Sequence, residues 1–580
     1  MIKGEMKMAF DPVQGLIPGR FNRRQLILGS GTAVAIAAAL AACGSDSKST
    51  APAASNAPSA TDAATTATDA ATTATDAATA TTAAAAAAAG KPGGILRVGT
   101  LGGANDIIDG QHIVAKADIV RQVTGWEPLM SFSPDFVPEY TNGIAKDVTA
   151  KAADNFVITL KDGVKFSNGN PVTADDVVYS FTRMLDKDKA LYGGSVLRGV
   201  LDVTGISKVD DHTVDLKLKQ GVSNFKEALC AYVCAIVPTG YERFDGDATK
   251  QIGTGPYMLK EFEVGKQSIH VKNPHYWDTG KPYFDEVHII DFADADALIN
   301  ALLADQIDVA GDIPSASVET VKGTTGYKVL NSAGGGWLTI SMAVDQEPFT
   351  DVRVRQAMRL IVDRDAMVEQ VLAGYGRVAN DLYAPLDAAY LGDKVPQRKR
   401  DIDAAKKLLA DAGKSDLTID LFAPNDTAGL PEMIQLFAQN AKDAGITVNA
   451  QVIDGGTYWG DQYLKRTFAV DYWGTRNFLL QVAAGSLKDT SPYPDDHWPP
   501  ADSTFEADYK AALAETDDTK RKVITDKMQK ELYDNGGLII PFFQNLLDAY
   551  NGRVQGLVER ANTLNLDHFG RGWKNLYFSE

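Results

Sequence analysis

Histidine and cysteine are the side chains of this 580-residue chain best suited to bind a metal or to attack a substrate. The seven histidines form no His-Glu-x-x-His pair and no short-range cluster of two histidines with a carboxylate, so the spacing of common zinc sites is missing. The sequence also contains no Gly-x-Ser-x-Gly nucleophile elbow and no phosphate-binding loop. We therefore expect no metal site, no cofactor and no catalytic constellation, and we predict that the chain is not an enzyme.

Two of the three cysteines, Cys230 and Cys234, have the spacing of one helical turn. The simplest interpretation is a pair of small buried thiols. A disulfide is chemically possible if the chain is exported to an oxidising compartment, although this spacing on a helix gives poor geometry for one.

Aromatic rings that could bind an organic guest are concentrated in one short stretch and at one distant position. They are Tyr458, Trp459, Tyr463, Tyr472, Trp473 and Phe478, with Trp337 after a run of three glycines. Tryptophan and tyrosine combine a large apolar surface with a polar group, which suits contact with an aromatic or apolar organic acid. Each ring taken singly could equally belong to the hydrophobic core.

Helices and strands that could position these rings alternate along most of the chain. Residues 155–161 alternate between apolar and polar side chains, the pattern of a half-buried strand. Thr173 and Asp176 have the spacing of a capping box at the start of a helix. Residues 295–303 and 434–444 each place apolar side chains on one helical face. This alternation over several hundred residues predicts an α/β fold.

The overall charge argues against nucleic acid as a partner. The formal net charge is −18, and the first 42 residues carry +3, which leaves the rest of the chain at −21. Binding to phosphates needs clustered lysine and arginine. A strongly negative chain is instead soluble and is repelled by anionic lipid.

The first 42 residues have the features of an export signal. Arg23 and Arg24 precede an uncharged apolar run from Leu26 to Ala42, followed by Cys43. A charged start, a short apolar core and small residues at the end describe a signal peptide. The paired arginines resemble a twin-arginine signal, and Leu-Ala-Ala-Cys resembles a bacterial lipobox, which implies lipidation of Cys43. A plain secretory signal and a single-pass anchor are the alternatives, but 17 residues are short for a membrane span.

Residues 43–90 are predicted to be a disordered tether between the lipid anchor and the folded body. They consist almost entirely of Ala, Thr, Ser and Asp, with a Thr-Asp-Ala motif that repeats every seven residues. No large apolar residue occupies any position of this repeat, so no coiled-coil seam can be buried. Such a composition cannot offset the entropy of ordering the chain.

Five blocks of sequence in one order carry a family resemblance. They are Lys165–Val177, Gly253–Tyr257, Asn273–Trp277, Pro348–Ala357 with Asp363 and Arg364, and Ala405–Gly413. The first block is similar to the family signature Phe-x-x-Gly-x-Pro-hydrophobic-Thr-Ala-x-Asp-Val. Together the blocks resemble the bacterial extracellular solute-binding proteins of family 5, the oligopeptide, dipeptide and nickel class. The resemblance covers the chain from about Gly93 to the C-terminus.

The resemblance implies a two-lobed, periplasmic-binding-protein-like α/β fold of type II. We expect lobe I at residues 91–332 plus 550–580, and lobe II at residues 333–549. Residues 129–249 would form the extra sub-domain of the large peptide-binding class. In such folds the ligand lies between the lobes, which close on it by a hinge motion.

The segment that binds the peptide amine in many family members differs here. Those members usually carry an aspartate in a Gly-Trp-x-x-Asp-like segment, and the corresponding stretch here is residues 468–478, FAVDYWGTRNF. In any nearby register the acid is replaced by Arg476, Asn477 or Phe478, which puts ordinary peptide binding in doubt. The Trp-Gly-x-Arg pattern resembles a variant of the family. A guanidinium matches a carboxylate in a bidentate way, so our hypothesis is that Arg476 anchors a ligand carboxylate.

Two other interpretations of Arg476 stay open: it could pair with a protein acid such as Asp471, or lie on the rim of the cleft. The full set of predicted ligand-binding residues is Arg476, Trp473, Thr475, Tyr472, Asn477, Trp337 and Trp459.

The function that follows is that of an extracytoplasmic solute-binding lipoprotein of an ABC importer. It would capture a peptide or a small organic carboxylate and deliver it to the permease and ATPase subunits. We expect a monomer on the outer face of the cell membrane, held by lipidated Cys43. A ligand-sensing receptor without import is the alternative, and an extracellular hydrolase on the same fold is a third.

Overall fold

The computed structural model describes residues 92–579, apart from positions 105, 114–115, 190, 192–196, 199, 426 and 561–570. The predicted signal peptide, the tether and Cys43 lie outside the described residues. Among the described helices, none combines the length and the apolar character that a membrane span requires.

The described strands, numbered in chain order, include two long ones, β12 and β18. The strands are β1 (Ile95–Leu101), β2 (Ser131–Phe132), β3 (Pro138–Glu139), β4 (Ala145–Ala152), β5 (Asn155–Leu160), β6 (Ile206–Asp210), β7 (Thr213–Lys217), β8 (Tyr257–Glu263), β9 (Gln267–Lys272), β10 (Glu286–Phe292), β11 (Val309–Ala310), β12 (Tyr327–Met342), β13 (Gly376–Val378), β14 (Thr418–Pro424), β15 (Thr447–Ile453), β16 (Phe468–Trp473), β17 (Leu538–Ile539), β18 (Phe542–Asn551), β19 (Val554–Gln555) and β20 (Tyr577–Phe578).

The described α-helices are mostly of two to four turns. They are α1 (Lys116–Gly125), α2 (Ala174–Leu185), α3 (Phe225–Leu229), α4 (Ala295–Leu303), α5 (Val318–Gly323), α6 (Val352–Leu360), α7 (Arg364–Leu372), α8 (Ile402–Asp411), α9 (Leu430–Lys442), α10 (Gly455–Tyr458), α11 (Phe478–Gly485), α12 (Phe505–Ala514) and α13 (Asp518–Asn535). Short 3₁₀ helices lie at Lys187–Lys189, Val203–Gly205, Tyr232–Cys234, Ala248–Lys250, Ser315–Ser317, Gly392–Lys394 and Trp573–Asn575.

A mixed sheet of twelve strands runs through the described part of the chain. Its order is β15-β14-β16-β12-β18-β11-β1-β10-β9-β8, with β13 beside β18 and β17 beside β12. β1 is parallel to β10 and β11, and β14 is parallel to β15 and β16. The antiparallel pair β12 and β18 lies in the middle of the order and joins the two halves. The α/β class predicted from the sequence is confirmed.

Two predicted local signals form as expected in the sub-domain. β5 alternates between buried and partly exposed residues and belongs to the antiparallel sheet β4-β5-β7-β6. At the start of α2, the backbone N–H of Thr173 donates to the Asp176 carboxylate at 2.9 Å, which satisfies a donor that the helix itself cannot. Val177 and Phe181 on the next turns are fully buried, so the helix presents its apolar face to the core.

The apolar side chains are buried in separate cores. The first draws on residues between Leu96 and Val309 and on three residues near the C-terminus, Val554, Trp573 and Leu576. The second and third draw on residues between Trp337 and Phe543. Because each half of the sheet buries its own apolar face, the halves can be stable as two lobes joined by β12 and β18. The lobe and sub-domain boundaries given above stay predictions.

The prediction that Cys230 and Cys234 share one helical turn is wrong. α3 ends at Leu229, and Ala231 is extended, with φ −62° and ψ 130°. The chain then turns through a 3₁₀ helix that contains Cys234. Both thiols are buried and neither forms a disulfide.

A buried ion cluster fixes the loop that follows β13. Asp381 is 2% exposed and accepts from Arg364 Nη2 at 2.7 and 2.9 Å and from the Ile540 N–H at 3.0 Å. Arg398 also donates to it, and Arg359 lies nearby. Burial alone would raise the pKa of Asp381, but these guanidinium groups hold that pKa below its ordinary value. The cluster therefore positions the loop that carries residues 383–387.

We expect Asp381→Asn to lower the free energy of unfolding by about 3–5 kcal/mol at pH 7, because it leaves buried arginines without their anion. Urea denaturation measures this, with the exposed Asp393→Asn as control. Since the folded-state pKa of Asp381 is depressed, its stabilisation is present above the unfolded pKa of about 3.9 and is lost as the pH falls. An equal loss of unfolding free energy in both variants would contradict the role of Asp381 in the ion cluster. A difference between the two variants that grows as the pH falls would contradict it as well.

Candidate ligand-binding cleft

The turn from β16 into α11 carries three of the predicted ligand-binding residues in succession, Thr475, Arg476 and Asn477. The glycine run of β12 packs directly against it: the Gly335 N–H donates to Thr475 Oγ1 at 2.9 Å. A Cβ at Gly335 would lie 2.9 Å from Thr475 Cγ2, so only glycine allows this approach without a shift. Sequence and packing together place the turn where the two halves of the sheet meet.

α11 takes its N-terminal cap from a distant residue. Asp387 Oδ2 accepts from the Phe478 N–H at 2.7 Å. Asn477 occupies the cap position but makes no capping bond with its side chain, and its Oδ1 is buried without a hydrogen-bond partner in the described part of the chain. An asparagine at this position normally accepts from the first turn of the helix. Because Asp387 supplies that acceptor, the Asn477 amide is available for another contact.

The two predicted tryptophans stack on each other in the core. Trp337 and Trp473 are direct neighbours on β12 and β16, with ring centroids 5.8 Å apart and planes 19° apart. Tyr383 stacks on Trp337 at 5.9 Å and on Phe478 at 5.5 Å. Trp337 and Trp473 are only 1% and 2% exposed. They form a rigid wall beneath the turn.

Arg476 is buried above this wall. Its guanidinium carbon lies 5.0 Å from the centre of the Trp473 ring, and its Nη1 donates to Gln481 Oε1 at 3.3 Å. The residue is 7% exposed, so its charge is largely withdrawn from water. A desolvated cation on an aromatic face attracts anions strongly.

The other two predicted residues, Tyr472 and Trp459, contact each other. Their rings meet edge to face at 5.7 Å, and both residues are partly exposed. Trp459 also contacts Tyr458 and Tyr463. The seven predicted residues thus fall into three neighbouring groups on and around β16.

A small acidic cavity adjoins the Trp473 indole. It is lined by Ser341, Tyr458, Tyr463, Leu464, Arg466, Ala469, Val470, Asp471 and Asp495. Asp495 Oδ2 accepts from Ser341 Oγ at 3.0 Å and from Trp473 Nε1 at 3.3 Å. Burial raises the pKa of Asp495 well above its ordinary value, and the negative charges of Asp471 and Asp496 add to the effect. Asp495 therefore keeps its proton to a higher pH than an ordinary aspartate does.

The predicted extra sub-domain contacts the predicted lobe II at the segment before α3. The Ser223 N–H donates to the Leu513 carbonyl at 3.0 Å, and Ser223 Oγ donates to the Ala512 carbonyl at 3.3 Å. α3 buries Phe225 and Leu229 in the first core. These contacts bring the opposite side of α3 against lobe II.

Glu227 lies on that side of α3. Its Oε2 is shielded from solvent and has no hydrogen-bond partner among the described residues, and the same is true of Asn224 Nδ2 one turn earlier. Burial raises the pKa of Glu227 to about 8; the negative charge of Asp387 raises it further and Arg521 opposes the shift. Asp387, whose charge acts on Glu227, also caps the helix that starts at Phe478.

A second buried arginine lies on the lobe I side and was missed from the sequence. Arg571 is 6% exposed, and Nε, Nη1 and Nη2 all lack a hydrogen-bond partner among the described residues. Burial lowers the pKa of Arg571 to about 10, against the charge of Glu127. Burial raises the pKa of the Cys230 thiol, and the charges of both Glu227 and Arg571 also act on that pKa. Both side chains therefore lie near Cys230.

No sequence signal could have identified Glu227 or Arg571. Arg571 stands between two glycines and Glu227 in an ordinary short helix. Both have buried side-chain atoms without a hydrogen-bond partner among the described residues, a property that they share with several other charged residues.

Comparison with known proteins gives a consistent assignment. A family model described as bacterial extracellular solute-binding proteins, family 5 Middle, matches residues 139–491. The periplasmic oligopeptide-binding protein OppA of Salmonella typhimurium is 28% identical over 439 residues, which cover 69% of this chain and 78% of that protein.

Solved structures share the fold along almost all of their length. The ABC transporter substrate-binding protein CtaP from Listeria monocytogenes matches with a TM-score of 0.74 at 21% identity, covering 84% of this chain and 100% of that chain. AgaA from A. tumefacien R10, in complex with agropinic acid, matches with a TM-score of 0.66 at 20% identity, covering 84% and 99%. The predicted two-lobed periplasmic-binding-protein fold is confirmed.

We expect Asp495→Asn to stabilise the protein more at pH 8 than at pH 5. The folded-state pKa of Asp495 is raised, so the wild type loses stability as the pH rises above the unfolded pKa of about 3.9. The asparagine side chain does not ionise, so the variant does not lose this stability. Chemical denaturation at the two pH values measures the difference. The exposed Asp489→Asn serves as control, and a gain that is independent of pH would show that the pKa of Asp495 is not raised in the folded protein.

Proposed function

The chain belongs to the bacterial extracellular solute-binding proteins of family 5, and we propose that it captures a small solute bearing a carboxylate between its two lobes. Peptides and small organic acids are the ligand classes considered. The solute is bound non-covalently and released unchanged to the permease and ATPase subunits of an ABC importer.

One observation supports this proposal: among the described residues, both predicted lobes carry buried polar atoms without a hydrogen-bond partner. Asn224 Nδ2 and Glu227 Oε2 belong to the predicted lobe I, and Asn477 Oδ1 belongs to the predicted lobe II. Each buried polar atom left unpaired costs about 1–3 kcal/mol. A solute between the lobes would supply the missing partners, and it would do so only when the lobes are together, which is the condition for ligand-driven closure.

A carboxylate on the solute is supported by the buried cations. Arg476 lies on the predicted lobe II side over Trp473. Arg571 lies on the predicted lobe I side, and three of its nitrogens have no hydrogen-bond partner among the described residues. Burying the Arg571 cation is unfavourable unless an anion meets it. Arg476 as the anchor, with Thr475, Asn477, Tyr472, Trp459, Trp337 and Trp473 around it, stays the assignment tested first.

The relatives support both ligand classes. OppA is an oligopeptide-binding protein, and AgaA was solved with agropinic acid. The aromatic residues beside Arg476 suit an organic acid with an apolar or aromatic portion.

Delivery and anchoring complete the proposal. Lipidated Cys43 would hold the protein, as a monomer, at the outer face of the membrane, and residues 43–90 would let the body reach the permease. A sensor that reports its solute without import is the second candidate. Uptake of labelled solute that stops when the permease is deleted separates an importer from a sensor.

We expect Arg476→Ala to weaken binding roughly ten- to several-hundredfold, because a charge-assisted hydrogen bond contributes ~1.5–3 kcal/mol. A thermal-shift screen of residues 91–580 against peptides and organic acids first identifies a ligand, since a ligand at 100 times its Kd adds ~2.7 kcal/mol of stability. Isothermal titration calorimetry then gives the affinity.

Two further variants serve as the control and as the test of the alternative anchor. Arg400→Ala removes an exposed arginine that pairs with Asp443 and should leave the affinity unchanged. If Arg571→Ala weakens binding while Arg476→Ala does not, the carboxylate is bound from lobe I and the Arg476 assignment is wrong. If neither Arg571→Ala nor Arg476→Ala changes the affinity, the solute is not bound through its carboxylate.

For the anchor, we expect the full chain expressed in a lipoprotein-processing bacterium to incorporate an alkyne-labelled fatty acid and to sediment with membranes. Cys43→Ser should be unlabelled and released from the membrane, because two or more acyl chains are needed for stable attachment. Label in the Cys43→Ser protein, or a soluble unlabelled wild type, would exclude the lipid anchor.

A further inference from the structure

We propose that the segment Gly221–Ser223 of the predicted extra sub-domain is a latch, which holds the two lobes together by direct contact with the end of α12 in the predicted lobe II. The latch includes no atom of a solute, so it populates the closed arrangement in the empty protein. This inference requires the two-lobed fold and a hinge motion between the lobes. It does not depend on what the solute is.

Two hydrogen bonds form the latch. The Ser223 N–H donates to the Leu513 carbonyl at 3.0 Å, and Ser223 Oγ donates to the Ala512 carbonyl at 3.3 Å. Both carbonyls belong to the last turn of α12, where a helix supplies no donor of its own. Ser223 supplies these donors from a segment 289 positions away from Ala512 in the chain. The end of α12 is therefore completed by the predicted sub-domain.

The two segments approach each other most closely at Gly221. A Cβ at this position would lie 3.5 Å from the Ala514 Cα and 3.8 Å from the Leu513 carbonyl oxygen. A longer side chain at position 221 would have to occupy the space that separates the two segments. Glycine leaves that space free, so the backbones meet directly.

Each side of the latch is fixed to a different hydrophobic core. Val222 and Phe225 are buried in the first core, whereas Ala512 is buried in the third core and Leu513 packs against it. The contact therefore joins two separately packed bodies. Because β12 and β18 join the halves of the sheet, a hinge rotation about these strands would separate Ser223 from α12. The latch is thus specific for one arrangement of the lobes.

The latch changes the affinity for any solute that is bound in the closed arrangement. When only a fraction of the protein is competent to bind, the apparent affinity is reduced by that fraction. A latch that raises the closed fraction therefore strengthens the binding of different solutes by one common factor. The hydroxyl bond of Ser223 should change the ratio of closed to open protein about two- to tenfold.

Hydrogen exchange of two neighbouring amides tests the latch without any substitution. The Ser223 N–H is bonded across the lobes, whereas the Val222 N–H donates to the Ala153 carbonyl at 2.9 Å within the predicted sub-domain. The full chain is extracted in detergent, dialysed free of small solutes and transferred to heavy water. Mass spectrometry with single-residue fragmentation then follows both amides. We expect both to be protected from exchange in the empty protein.

Ser223→Ala removes the hydroxyl bond and keeps the N–H. After correction for the intrinsic exchange rates, we expect it to lower the protection of the amide at position 223 about two- to tenfold. The protection of Val222 should not change. The control is Ser207→Ala, which removes an exposed hydroxyl on β6 of the same sub-domain and should change neither amide.

A pair of cysteines measures the same contact independently. Gly221→Cys with Ala514→Cys places two thiols where the segments meet. The variant also carries Ala153→Gly, because a Cβ at position 221 would lie 3.1 Å from the Ala153 Cβ. Copper phenanthroline should oxidise the empty protein to a disulfide between positions 221 and 514, located by peptide mapping. The control pair combines Gly323→Cys with the same other two substitutions and should not cross-link, since a Cβ at Gly323 would have nothing within 4 Å.

Three results would overturn the latch. The first is exchange of the Ser223 amide at its intrinsic rate in the empty protein while Val222 stays protected, because the lobes are then apart without a solute. The second is unchanged protection at position 223 in Ser223→Ala. The third is a cysteine pair at positions 221 and 514 that cross-links no more than the control pair. All three leave the proposed function standing, because the binding of a carboxylate is tested separately by Arg476→Ala.

Discussion

A polar atom that is buried without a hydrogen-bond partner is unstable by about 1–3 kcal/mol relative to one that is satisfied. Among the described residues, such atoms include those of Asn224 and Glu227 in the predicted lobe I, that of Asn477 in the predicted lobe II and three nitrogens of Arg571. Folded proteins leave few buried polar groups unsatisfied. We propose that a guest between the lobes supplies partners for these atoms and thereby stabilises the closed arrangement.

The rest of the lobe II side holds that site in shape. The stack of Trp337, Trp473, Tyr383 and Phe478 is buried and parallel, and it fixes the floor beneath Arg476. The ion cluster around Asp381 anchors the loop that brings Tyr383 into the stack and Asp387 to the start of α11. Because these parts are satisfied internally, the few groups left over can be specific for a solute.

Local sequence patterns predicted individual strands and helix starts, but not the contacts between residues that are distant in the sequence. The alternation of β5 and the Thr173–Asp176 cap depend on residues a few positions apart, and both formed as predicted. Cys230 and Cys234 do not lie on one helix, because the backbone at Ala231 is extended. Asn477 precedes an apolar run and has the sequence of an ordinary helix cap, yet Asp387 takes that role from 91 residues earlier. Such contacts, like the burial of Glu227 and Arg571, are decided by tertiary packing.

We propose that both lobes bind one unmodified solute at the same time. A crystal structure of residues 91–580 with a solute found by the binding screen tests this most directly. We expect an intact solute between the lobes, within hydrogen-bonding distance of the predicted lobe I on one side and of the Thr475–Asn477 turn on the other. A solute bound to one lobe alone, or electron density for a cleaved product, would contradict it.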